Sequence, residues 1–128
     1  STRKAVCVID LDTLMPGYFI NDLGDMVRTF VSPASEEEKD FSKIVFRQDI
    51  YDALLAGYLF QMGTVMSPEE KSAIPFAGKM MTYMMALRFT ADYLNGDVYY
   101  HTDYHGQNLV RSGNQLKFLE ILARALPE

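Results

Sequence analysis

Val6-Cys7-Val8-Ile9-Asp10-Leu11-Asp12-Thr13 leads into a Pro16-Gly17 turn and then into Asn21-Asp22-Leu23-Gly24-Asp25. Ala5 to Ile9 is short, apolar and rich in β-branched side chains, which predicts a buried strand. Cys7 alternates with Val6 and Val8 and is expected in the core. Asp10 and Asp12 are two residues apart, so a continuing strand projects both to one side. Two converging carboxylates repel each other unless a cation or a base neutralises them. A buried strand of this kind delivers carboxylates to a cation at its C-terminal end. It also needs a neighbour, because its N–H and C=O groups must be paired. No second convincing strand follows, so residues 5–9 are expected at an edge, open to self-association through that strand.

Beyond the turn the pattern becomes helical. Asn21 or Asp22 is read as the cap of a short helix to about Arg28 or Phe30, with Leu23, Met26 and Val27 on one face. Ser35-Glu36-Glu37-Glu38 reads as a capping box opening an acidic first turn. From about Arg47 to Met62 the apolar residues recur at helical spacing, and Gly63 ends the run. Ser67-Pro68-Glu69-Glu70 is a second start signal, with proline at the first helical position. Pro75 opens a long helix to about Leu94, stopped by Asn95-Gly96, and a last helix runs from about Gln107 or Asn114 to Leu126. In the long helix Met80, Met84, Leu87, Ala91 and Leu94 read as the core stripe, with Met81, Met85, Arg88 and Asp92 on the adjacent face. Arg88 and Asp92 are four apart and can pair with each other. The expected fold is mainly α: one N-terminal strand and about five helices in a single domain.

The bulk numbers exclude several function classes. A chain of 128 residues with 48% hydrophobic and 23% charged residues has ordinary globular composition. A net charge of −5 argues against nucleic acid as the main partner, since phosphate binding needs a basic surface. No apolar run reaches the roughly 18 residues of a membrane span, and the polar opening Ser1-Thr2-Arg3-Lys4 is not expected to act as a signal peptide. One cysteine rules out an internal disulfide and fits a reducing cytoplasm.

The opening segment resembles the metal-binding strand of the aminoglycoside phosphotransferase and choline kinase superfamily. Ile9-Asp10-Leu11-Asp12-Thr13-Leu14-Met15-Pro16-Gly17 is closest to the N-acetylhexosamine 1-kinase branch. The resemblance implies that Asp10 holds the Mg²⁺ that bridges the ATP phosphates, that Asp12 assists, and that Asp22 fixes the local loop. Magnesium favours one or two carboxylates together with phosphate oxygens, which suits such a pair. In that superfamily this strand lies mid-chain, after an ATP-holding N-lobe and a catalytic loop. The resemblance therefore implies a C-terminal helical part like the C-lobe of a protein-kinase-like fold. Its partner is the missing N-terminal lobe, and Mg²⁺ and ATP belong to the complete protein. The reaction is transfer of the γ-phosphate to a small sugar, and the isolated chain is expected to be inactive. Arg88 and Asp92, with nearby tyrosines, are the expected sugar contacts.

His101-Thr102-Asp103-Tyr104-His105-Gly106-Gln107-Asn108 matches the spacing of the same superfamily's catalytic loop. There the aspartate orients and deprotonates the acceptor hydroxyl and the asparagine binds metal. In the family that loop precedes the acidic strand, whereas here it follows Asp10 by about ninety residues. A permuted kinase using Asp103 and Asn108 is one alternative reading. A metal site of His101, Asp103 and His105 is another, and a non-catalytic helical interaction module is a third. Relatives of this branch carry a mucin-desulfating label, but Cys7-Val8-Ile9-Asp10-Leu11 lacks the proline and arginine of a formylglycine sulfatase motif. Sulfatase chemistry is rejected for this chain.

Overall fold

The computed structural model describes residues 4, 7–9, 11 and 14–126. Five α-helices carry the described part: α1 (Phe19–Phe30), α2 (Gln48–Met62), α3 (Pro68–Ser72), α4 (Ile74–Leu94) and α5 (Gln107–Ala125), with a 3₁₀ turn at Phe41–Lys43. No strand occurs among the described residues. Cys7, Val8 and Ile9 are irregular and exposed, Val8 at 79% and Ile9 at 77%. The core position expected for Cys7 is therefore not found. Ala5 and Val6 lie outside the described residues.

α4 is the central helix, packed against both α1 and α5, while α2 meets α1. Two glycines set the α1–α4 distance. A Cβ on Gly24 would stand 2.4 Å from the Ala77 carbonyl oxygen and 2.5 Å from Met81 Cγ. A Cβ on Gly78 would stand 2.5 Å from Val27 Cγ1. Each helix thus presents a bare backbone to the other, so Leu23, Val27 and Ala77 bury completely. Phe118, Leu122 and Leu126 of the α5 end complete this core, with Val31, Ile44 and Tyr51. Burying side chains of this size contributes about 1.5–3 kcal/mol each.

Local chemistry explains most helix ends. Ser67 accepts from the Glu70 backbone N–H while the Glu70 carboxylate accepts from the Ser67 N–H, the reciprocal cap expected there. The helix it opens is only five residues long, because the chain turns at Ala73 and restarts as α4. α1 begins at Phe19, earlier than a cap at Asn21 or Asp22 would set it, and Asp22 falls in its first turn. Arg47 donates to the Phe30 carbonyl at 2.6 Å and the Val31 carbonyl at 3.0 Å, closing the far end of α1.

The acidic turn at Ser35–Glu38 is not a helix. Its three glutamates are drawn outward: Glu36 to Arg28, Glu37 to Arg111 and Glu38 to Lys43. The segment is instead a strap of turns pinned to α1 and α5.

The core face of α4 also differs from expectation. Ile74, Ala77, Gly78, Met81, Thr82, Ala86, Phe89 and Asp92 are the buried residues. The stripe expected as core is instead half-buried at Met80 and Met84 and turned outward at Leu87 (50% exposed), Ala91 and Leu94 (76%), joined by Phe76 and Tyr83. No described helix is long and apolar enough to cross a membrane.

Candidate functional site

The best-built polar site forms where α4 hands the chain over to α5. α4 stops at Asn95, and Gly96 (φ 89°) and Asp97 (φ 58°) take the left-handed conformation. Glycine adopts it at no steric cost, and aspartate tolerates it better than most residues. The reversal sends three successive backbone N–H groups back onto the helix just left. Asp92 Oδ1 accepts from Val98 at 3.0 Å and Tyr99 at 2.8 Å, and Oδ2 accepts from Tyr100 at 2.9 Å. The fourth partner is Asn108 Nδ2 of α5, also at 2.9 Å. The N–H of Tyr100, followed by those of Tyr99 and Val98, holds the carboxyl below its usual range although burial opposes this. Asp92 is therefore the buried knot that ties the loop and α5 to α4. The ion pair expected between it and Arg88 does not form.

Arg88 is exposed and held differently. Its guanidinium carbon lies 5.6 Å from the Tyr99 ring centroid and 5.5 Å from that of Tyr100. The two rings meet edge to face at 4.8 Å, and Tyr100 rests on buried Phe89 at the same distance. Arg88, Asp92, Asn95, Tyr99 and Tyr100 line an open recess of about 340 Å³. Its floor is fixed by the Asp92 knot, and its wall offers two aromatic rings, a guanidinium and a primary amide. Such a surface can stack on the apolar face of a small ring and hydrogen-bond its substituents. The Tyr100 hydroxyl is buried without a hydrogen-bond partner among the described residues. Burial, first of all, pushes its phenol up.

A second layer braces the loop from behind. Asn108 is fully buried, and its Nδ2 also donates to Asp97 Oδ1 at 2.9 Å. Its Oδ1 accepts from Arg111 Nη1, which also reaches the His101 carbonyl, both at 3.0 Å. Arg111 pairs with Glu37 of the strap, and Gln107 Nε2 donates to the same carboxylate at 3.0 Å. The Arg111 hydrogen bond is the main reason the Glu37 carboxyl sits below its usual range. The sequence reading missed this brace. Its signal was the polar stripe Gln107, Asn108, Arg111, Ser112 and Gln115, which repeats at helical spacing and passes into Phe118 and Leu122.

The remaining candidates fall elsewhere. Asp10 and Asp12 lie outside the described residues. His101 Nε2 is 3.2 Å from Asp103 Oδ1, with both side chains largely exposed, whereas His105 stacks on Tyr93 at 5.9 Å. Among the described residues no group of three or more His, Cys, Asp or Glu side chains is placed to hold a metal ion. Asn108 uses both ends of its amide within the brace. The chain matches none of the known protein-family models against which it was searched.

Proposed function

We propose that this chain is the sugar-side helical part of an ATP-dependent small-molecule phosphotransferase of the aminoglycoside phosphotransferase type, with an N-acetylhexosamine as first choice of acceptor. The observation that carries this reading is the recess of Arg88, Asn95, Tyr99 and Tyr100, preorganised by the Asp92 knot. Tyr99 and Tyr100 take the ring, Arg88 and Asn95 take its polar substituents, and Asp92 acts as a positioning residue. The Asp10 and Asp12 pair supplies the hard oxygen ligands that Mg²⁺ prefers. When bound with ATP, the ion would neutralise charge on the phosphates. The reading is supported further by the outward apolar stripe of α4, Phe76, Tyr83, Leu87 and Leu94. That stripe, with the exposed Val8 and Ile9, is the surface an N-terminal lobe would cover. The single cysteine of this chain fits a reducing compartment and supports a cytoplasmic setting for it.

The same stripe favours a second reading, a non-catalytic helical module that binds another protein. Titration with N-acetylglucosamine and N-acetylgalactosamine, followed by amide chemical shifts, separates the two. The kinase reading predicts saturable shifts at Tyr99 and Tyr100 that vanish in Arg88→Ala while the fold is kept. No shift with any hexosamine would move the assignment to the interaction module.

A further inference from the structure

The strap between α1 and α2 bears on the Arg88 recess from behind, although none of its residues lines the recess. It is fastened to α5 by Asn114, whose Nδ2 donates to the Ser35 carbonyl at 3.0 Å and the Glu38 carbonyl at 3.2 Å. The Glu38 carboxylate stays within the strap, accepting from the Asp40 N–H at 2.9 Å and from Lys43 at 3.1 Å. Glu37 turns the other way. One oxygen, Oε1, accepts from both Arg111 and Gln107 of α5, and neither donor ends there.

Arg111 Nη1 donates to the His101 carbonyl and to Asn108 Oδ1, both at 3.0 Å. With Oδ1 taken, the Asn108 amide has one way to face, and its Nδ2 donates to Asp92 Oδ2 and Asp97 Oδ1, each at 2.9 Å. Gln107 is fixed in the same manner: Nε2 goes to Glu37 at 3.0 Å and Oε1 accepts the Asp103 N–H at 2.6 Å. Both amides are buried, so a lost partner is not simply replaced by water. One carboxylate thus orients two amides that hold the loop near its start and its end. Through Asn108 it also reaches the Asp92 knot beneath the recess.

The Arg111 side chain is only 12% exposed, and Glu37 is its one carboxylate partner among the described residues. Its guanidinium also lies 5.7 Å from the ring centre of Phe89, on which Tyr100 rests. Removing one member of a largely buried pair leaves the other charge uncompensated. The guanidinium is then drawn toward water, away from His101 and Asn108. We infer that Glu37 is a positioning residue for the recess, holding Arg111 and Gln107 against residues 97–103 and so fixing where Tyr99 and Tyr100 stand. Lys39, 4.0 Å over the Tyr104 ring, gives the strap a second and weaker hold on the same loop. Only the sugar arm of the test rests on the acceptor reading of the recess.

The test is amide hydrogen exchange on this chain at neutral pH, with Glu37→Ala and Glu37→Gln set beside Glu38→Ala. The last variant controls for loosening of the strap itself. In Glu37→Ala, exchange at Val98, Tyr99 and Tyr100 is expected to rise about tenfold while the core amides of α1 and α4 keep the parent rate. Glu37→Gln keeps an acceptor for Arg111 and Gln107 but loses the charge, and should fall between Glu37→Ala and the parent. Glu38→Ala should leave the three loop amides unchanged. Loop amides that do not respond to Glu37→Ala would overturn the inference. So would equal loosening in Glu38→Ala, or a uniform rise that includes the core, which would make Glu37 a stabiliser of the whole fold. Should Glu37→Ala fail to fold, Glu37→Gln is read against the same outcomes. The sugar arm is titration with N-acetylglucosamine and N-acetylgalactosamine, whose Kd should rise about threefold or more in Glu37→Ala and stay unchanged in Glu38→Ala. Binding by the parent that Glu37→Ala leaves intact would remove the positioning role. No binding by the parent counts against the acceptor reading alone, and the exchange rates then decide the link between strap and loop.

Discussion

Replacing Gly24 by alanine tests the crossing on which the whole arrangement rests. In an isolated helix the change would stabilise, because alanine is favoured over glycine by about 0.8–1.0 kcal/mol. In this fold the new Cβ would stand 2.4 Å from the Ala77 carbonyl oxygen and 2.5 Å from Met81 Cγ. Met81 can move, but the Ala77 oxygen belongs to the backbone of α4. Contacts of this kind settle near 3.5 Å, so α1 and α4 must part by roughly 1 Å. A gap of that size forfeits a quarter to a half of each dispersion contact made by Leu23 and Val27. Overpacking of this sort costs about 1–3 kcal/mol, and a backbone obstacle puts it at the upper end. The net expectation is a loss of about 2 kcal/mol after the propensity gain is deducted. Gly57 in α2 is the internal control, since a Cβ there meets nothing within 4 Å. Gly57→Ala should gain about 0.5–1 kcal/mol. Urea unfolding followed by helical circular dichroism reads both variants. Opposite signs, separated by about 3 kcal/mol, are expected. A Gly24→Ala protein as stable as the parent would refute the close crossing.

The other predictions concern the site and the core. Asp92 has a depressed carboxyl in the folded chain, so its contribution to stability is present above the unfolded value near 4 and is lost as pH falls through the folded one. Hydrogen exchange should therefore show the Val98, Tyr99 and Tyr100 amides losing protection together on acidification, and at neutral pH in Asp92→Ala. If those three amides stay protected in the variant, the knot does not hold the loop. Leu122 is fully buried, so Leu122→Ala should cost about 2–5 kcal/mol in the same unfolding assay. Arg88→Ala removes only an exposed stack on two tyrosines and should change stability by no more than about 1 kcal/mol.

Local punctuation was legible in the sequence wherever one short motif decided the outcome. Ser67 with Glu70, Pro75 and Asn95-Gly96 mark helix boundaries that are found in the fold. Ser35-x-x-Glu38 has the same letters as the Ser67 box but no periodic apolar run behind it. Arg28, Arg111 and Lys43 take its glutamates before a helix can use them. The face of α4 was not legible, because apolar residues surround that helix and its period alone chooses no side. What decides it is the pair of glycines at the α1–α4 crossing, which admits Ala77 and Met81 and turns Leu87 and Leu94 away. At the site, Arg88 is exposed. Four-residue spacing makes Asp92 its expected partner. The reversal at Gly96 and Asp97 offers it three N–H groups instead, a fixed demand that one flexible exposed arginine does not outcompete.

We propose that this chain belongs to a sugar phosphotransferase and carries its acceptor side. Its most direct test is Mg²⁺-dependent ATP consumption with a panel of N-acetylhexosamines. The assay compares this chain with any longer product that contains it and supplies an ATP-holding lobe. Turnover by the longer protein alone, abolished by Asp10→Asn and raised in KM by Arg88→Ala, is the predicted result. Absence of sugar-dependent turnover from both proteins would contradict the claim and leave a helical interaction module.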